Sequence, residues 1–186
     1  MAITRHHVTN LLGALGVAGA LIGLAFGLPA MDRAVPSQRP VPAGRPYPIG
    51  AGVTLVPPPG ATVDLTGTRP GDQAGTALFR LGAVRYAIQV RPFAGDLQAA
   101  AERLRKRITA TRGYQVTGAQ LAVDTAGGVA GLQGGYTGPG SGGRYAVFVL
   151  DGLIVEVTVT GADLDLGRTL PRIDASTRTL RHDGKP

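Results

Sequence analysis

Residues 145–160 read YAVFVLDGLIVEVTVT, two apolar runs on either side of Asp151-Gly152. Asp-Gly between such runs is a strong hairpin signal, because a type I′ turn needs positive φ at both central residues. The two-residue turn sets the register: Leu150 faces Leu153, Phe148 faces Val155, and Ala146 faces Val157. Successive side chains alternate between faces, so these six share one side and Val159 extends it. The other side carries Tyr145, Val147, Val149, Ile154 and Glu156. The first side is the expected core, and the second is expected to be partly covered. Glu156, opposite Val147, is an acid in mid-strand and the one polar-site candidate of the hairpin; paired with an arginine it would be structural.

The same logic applies upstream. Gly82-Ala83 joins Thr76–Leu81 to Val84–Arg91, with glycine first as a type II′ turn requires. Leu81 then faces Val84, Phe79 faces Tyr86 and Ala77 faces Ile88, while Arg80 opposes Arg85 on a side that should be wet. A third hairpin is expected at Gly127-Gly128, placing Val123 beside Leu132, with Gly131, Gly134 and Gly135 thinning its second strand. Thr137 to Gly143, TGPGSGG, reads as a long flexible loop. Leu97, Ala101, Leu104 and Ile108 form a narrow helical stripe, with Asp96 as N-cap and Gly113 as the stop. A second helix carries Leu166, Leu170, Ile173, Thr177 and Leu180 on one face, and Pro171 places its start near Leu170. Strands, helix, antiparallel strands, helix is the order of an α+β sandwich: one antiparallel sheet packed with two helices.

The opening Gly52-Val53-Thr54-Leu55-Val56-Pro57-Pro58-Pro59-Gly60, a strand followed by Pro-Gly, resembles the start of PsbP-like domains, although Ala61 stands where an aromatic is common. The closing Ile173–Leu180, with Ser176 inside it, is similar to their final helix. The resemblance spans about residues 49–181 in element order, and the whole layout is similar to that of actinobacterial envelope proteins with an anchor, a proline-rich spacer and such a domain. It implies a scaffold or binding role and carries over no catalytic residue, since that fold has no shared active site.

The layout itself rests on composition. From Val8 to Ala30 there is no charged residue. A stretch of that length spans a hydrocarbon core of about 30 Å as a helix. It reads as an uncleaved signal anchor over residues 1–30, with a cleaved signal peptide as the alternative. Arg33, Arg39 and Arg45 after the span would, by the positive-inside rule, keep the C-terminal part in the cytoplasm. A short N-terminus before a long anchor and a folded domain argues for export, and an extracytoplasmic domain at the plasma membrane is the expectation. Gly19, Gly23 and Gly27 form a small-residue stripe that would let two such helices dimerise. Residues 31–48 hold five prolines and read as an extended spacer. The domain is expected over 49–182, with a tail from 183.

The remaining chemistry is thin. The chain has 186 residues, a net charge of +7 and no cysteine, which removes disulfides, thiol catalysis and Cys-zinc sites. Its three histidines lie near the ends, so a Ser–His–Asp set from Ser37, Ser141 or Ser176 would need His182 to fold back. Asp163 and Asp165 read as N-cap residues and not as calcium ligands. Gly138–Gly143 lacks phosphate-loop spacing and precedes a strand. No catalytic residue, metal or cofactor is expected. Arg103, Arg105, Lys106, Arg107 and Arg112 make the first helix basic without interleaved aromatics, which argues for a solvated face or contact with an anionic surface, and against nucleic acid. The chain thus reads as a single-pass envelope protein whose domain binds a partner, either another envelope protein or an acidic envelope polymer. The alternatives are a small envelope hydrolase or a secreted protein.

Overall fold

The computed structural model describes residues 37–183; the expected span with Gly19, Gly23 and Gly27 lies outside them. Along the described chain run β1 (Gln38–Pro40), β2 (Tyr47–Gly50), β3 (Val53–Leu55), β4 (Thr62–Asp64), β5 (Gly75–Leu81) and β6 (Val84–Pro92). Then come α1 (Leu97–Ala110), β7 (Gln115–Asp124), β8 (Ala130–Gly138), β9 (Ser141–Leu150), β10 (Leu153–Gly161), α2 (Asp163–Arg178) and β11 (Arg181–His182). Eight strands form an antiparallel sheet in the order β1-β4-β5-β6-β10-β9-β8-β7. The order β11-β3-β2 makes a second sheet of three strands, which the sequence reading did not contain.

The Asp151-Gly152 turn has φ values of 49° and 74°, and the register it sets is the observed one, with Phe148 opposite Val155 and Glu156 opposite Val147. Gly82 has φ 60°, and Phe79 faces Tyr86 as expected. Arg80 does oppose Arg85, but Asp64 lies 3.3 Å from the Arg80 guanidinium and offsets the like charges. The Asp64 carboxyl is held below its usual range, chiefly by the Thr66 hydroxyl it accepts from, against some desolvation.

The two faces of the large sheet are buried differently. Phe148, Val155, Val157 and Val159 join Phe79, Tyr86 and Ile88 under Ile173 and Leu180 of the C-terminal segment and Val53 and Leu55 of the small sheet. Each such large apolar side chain contributes roughly 1.5–3 kcal/mol by leaving water. On the opposite face, Ala101 and Leu104 of α1 cover Tyr136, Tyr145, Val147 and Ile154. Asp96 caps α1, accepting from the Ala99 N–H at 2.7 Å. Polar contacts fasten α2 to both sheets: the Tyr86 hydroxyl lies 2.9 Å from that of Thr177, Ser176 donates to the Val56 carbonyl at 2.6 Å, and Arg144 pairs with Asp174.

Several expectations need correction. Within the proline-rich stretch, Gln38–Pro40 pairs with β4 and Tyr47–Gly50 with β3, so its second half is part of the folded unit. Both proline-bearing strands lie at sheet edges, where a missing N–H costs no ladder bond. The Gly127-Gly128 hairpin forms one register off: Val123 faces Gly131, and Ala122 faces Leu132. Thr125 and Val129 close a three-residue loop in which Gly128 takes φ 77°, the positive-φ residue that such loops place before a bulge. The expected loop 137–143 is a tight Pro139-Gly140 turn, with Gly138 opposite Ser141 and φ 67° at Gly140.

The second helix starts at Asp163 and runs through Pro171. Pro171 and Gly167, the two ends of the missing bond, are both exposed, so water can take the freed carbonyl. Asp163 and Asp165 sit in its first turn after the N-cap Ala162, where their charge complements the helix dipole. His182 is no frayed end: it pairs with Val53, and its Nδ1 lies 2.6 Å from the Asp151 carboxylate.

Glycines of the β8–β9 ladder answer to close packing. A Cβ at Gly143 would lie 2.1 Å from the Val159 carbonyl oxygen and 2.3 Å from the Tyr136 ring, whereas one at Gly167 in α2 would meet nothing within 4 Å. Gly143→Ala should therefore lower stability by about 2–4 kcal/mol, while Gly167→Ala should raise it by about 0.4–1 kcal/mol, both read from urea unfolding midpoints.

Burial pushes the Tyr86 phenol from 10.0 up to about 12, against the favourable Thr177 contact. The stability contributed by the neutral phenol is complete below pH 10.0 and is lost as the pH rises towards about 12. Tyr86→Phe should flatten the alkaline limb of a stability–pH curve over that interval, measured by chemical denaturation at stepped pH.

Candidate functional site

Glu156 is central to β10, flanked by Gln89 of β6 and Val147 of β9. Only 3% of the residue is exposed. A carboxylate so buried needs compensating charge and hydrogen bonds. It has both. Arg107, from the last turn of α1, grips it with both terminal nitrogens, at 2.6 Å to Oε2 and 2.8 Å to Oε1. Arg91, two residues beyond Gln89 on the same side of β6, donates to Oε2 at 2.5 Å. The side chains of Arg107 and Arg91 remain 42% and 37% exposed. The carboxylate is therefore the inner member of a three-group cluster whose two arginine side chains are partly exposed.

The cluster borders an open groove of ≈ 370 Å³ between α1 and the polar side of the sheet. Its floor is Glu156, Thr158 and Thr160 at every second position of β10, with Gln89 beside them. Leu104, Arg107, Ile108 and Thr111 of α1 form one wall, and Tyr114 and Tyr136 close the end with ring centroids 6.0 Å apart. The Tyr136 hydroxyl donates to the Val159 carbonyl at 2.7 Å and lies 2.6 Å from the Thr160 hydroxyl, and desolvation raises its pKa. The groove exists because α1 lies over β7, β8 and β9 and leaves the β6 side of β10 uncovered.

Of the five basic candidates on the first helix, Arg107 turns to Glu156. Arg103 lies over the Phe93 ring at 6.0 Å, and Arg105 and Lys106 stand 3.8 and 3.7 Å from the Glu102 carboxylate. Surface pairs of that kind are worth about 0–1 kcal/mol. Arg112 is exposed beyond the helix end. The sequence reading missed Arg91, Gln89, Tyr114, Tyr136, Thr158 and Thr160. The two threonines were within reach, since the strand period places them on the Glu156 side; the others come from elements whose order in the sheet is not local.

Among the described residues, no three His, Asp or Glu side chains are grouped to hold a metal. His182 has Asp151 beside its Nδ1, while Ser176 is hydrogen-bonded to Val56 and Ser141 lies 3.5 Å from the Tyr114 hydroxyl. No described helix is long and apolar enough to cross a membrane.

Neither a protein-family model nor a curated protein matches the chain. Among solved structures it is similar to the cyanobacterial PsbP protein CyanoP of Synechocystis, at TM-score 0.51 and 12% identity over 80% of this chain and 94% of that one. It is also similar to PA94, a Pseudomonas aeruginosa protein of unknown function, at TM-score 0.49 and 17% identity over 61% of this chain and 85% of that one. A third is LpqN, involved in cell envelope biogenesis of Mycobacterium tuberculosis, at TM-score 0.39 and 15% identity over 76% of this chain and 86% of that one. The CyanoP likeness establishes the fold: α+β and PsbP-like, with a large antiparallel sheet and two helices.

Removing the charge of Glu156 leaves two guanidiniums against a neutral amide. Glu156→Gln should cost about 2–3 kcal/mol in chemical denaturation, less than a fully buried pair because both arginines reach solvent. Arg107→Gln should cost less than Glu156→Gln, since Arg91 still neutralises the carboxylate.

Proposed function

We propose that the chain is a membrane-anchored, extracytoplasmic binding or accessory domain of the cell envelope, held by the uncharged segment Val8–Ala30. The observation that carries the binding role is the groove beside Glu156, where Arg107, Gln89 and three threonines stand among the apolar walls of Leu104, Ile108 and two tyrosines. Both carboxylate oxygens there are already taken by guanidiniums, an arrangement suited to holding a ligand and ill suited to moving protons. The PsbP-like fold is compatible with such a role and assigns no chemistry of its own. The partner is an acidic envelope polymer or another envelope protein, and Gly19, Gly23 and Gly27 offer a face for pairing two anchors.

Fractionation of cells expressing the full chain tests location. The intact protein is expected in the membrane pellet, resistant to salt extraction and open to protease added outside. Recovery of a shortened chain in the soluble fraction, or protection from external protease, would overturn it.

A further inference from the structure

We propose that the groove between α1 and β10 is a receptor for a small anionic polyol, a sugar acid or sugar phosphate, met free or as the end group of a polymer. The inference rests on the binding role above and names its ligand class. Glu156 with Arg91 and Arg107 sums to one net positive charge. The two guanidiniums have several times more N–H donors than the three bonds that Glu156 accepts, and of the two it is Arg107 that lines the groove. The cluster is donor-rich, so what it lacks is an anion.

Arg107 lines the groove and is held by its bidentate grip on Glu156, which fixes the direction of its remaining donors before a ligand arrives. Beside it stand hydroxyls of Thr111, Thr158 and Thr160 and the Gln89 amide, groups that match the hydroxyls of a polyol. The groove, at ≈ 370 Å³, falls near the small end of ligand sites, which suits one sugar-sized unit and not a helix or a folded partner.

Calorimetric titration of the full chain in detergent with glucuronate, glucose 6-phosphate, glucose and inorganic phosphate tests this. Either anionic sugar should bind, with affinity falling as salt is added. Glucose and phosphate should each bind about tenfold more weakly, the value of one charge-assisted contact or of the hydroxyl set. Arg107→Gln should abolish the heat signal. Thr158→Val, which keeps the strand's shape, should weaken binding several-fold with an unchanged unfolding midpoint. Lys106→Gln, on the solvent side of α1, should change nothing. The assignment is overturned if no probe binds by about 10 mM, if glucose or phosphate binds as tightly as the anionic sugars, or if Lys106→Gln weakens binding as much as Arg107→Gln. A membrane-bound chain that binds no anionic sugar refutes this ligand class and leaves the location standing; a soluble chain that binds them does the reverse.

Discussion

Aromatic rings laid across glycines hold the β8–β9 ladder of the large sheet. Gly131 faces Phe148, Gly134 faces Tyr145, and Gly143 faces Tyr136, each pair directly opposite in the ladder between β8 and β9. A Cβ at Gly131 would fall 2.4 Å from the Phe148 ring and one at Gly134 2.5 Å from the Tyr145 hydroxyl, so the rings occupy the space that side chains would take. This is the cross-strand rescue by which an aromatic covers the backbone a glycine exposes. The rings go to both faces. Phe148 enters the core under α2, whereas Tyr145 and Tyr136 lie under α1. Tyr136, fixed in that way, becomes the closed end of the groove, so the shape of the site follows from glycine positions that look like weakness in a strand.

The second dependence is electrostatic. α1 rests on its sheet through a narrow apolar stripe, with Ala100, Ala101 and Leu104 its only fully buried residues. The Arg107 grip on Glu156 adds a directional contact between helix and strand, while Arg91 of β6 holds the same carboxylate from the neighbouring strand. A buried ion cluster is weak evidence for stability in itself, because desolvation offsets much of the attraction. What it supplies here is orientation: the helix cannot roll on its stripe without breaking the two bonds from Arg107 to Glu156.

The legibility of the fold followed sequence distance. The Asp151-Gly152 and Gly82-Ala83 hairpins and the Asp96 cap were readable, since each depends on residues a few positions apart. The small sheet was not, because it joins Val53 to His182 across the whole domain, and no local pattern announces such a pairing. The start of α2 was misplaced because an exposed proline in mid-helix costs less than the rule against it suggests once Leu166 and Ile173 are buried on the other side. At the site, Glu156 was visible as a lone acid on a predicted strand face. Its arginines lie 65 and 49 residues away, and only the strand order β6-β10 and the seating of α1 bring them to it.

The two borders of the eight-stranded sheet are both poor templates for further strand addition. β1 is three residues long, and Pro40 within it has no N–H to offer. β7 is longer, but its pairing breaks between Thr117 and Leu121, where Gly118 takes φ 73°. A kinked border and a clipped one leave no straight row of free donors and acceptors on which another chain could polymerise. A protein crowded at high local density therefore resists growing into a cross-strand fibre along these borders, and contacts between its copies fall to other surfaces.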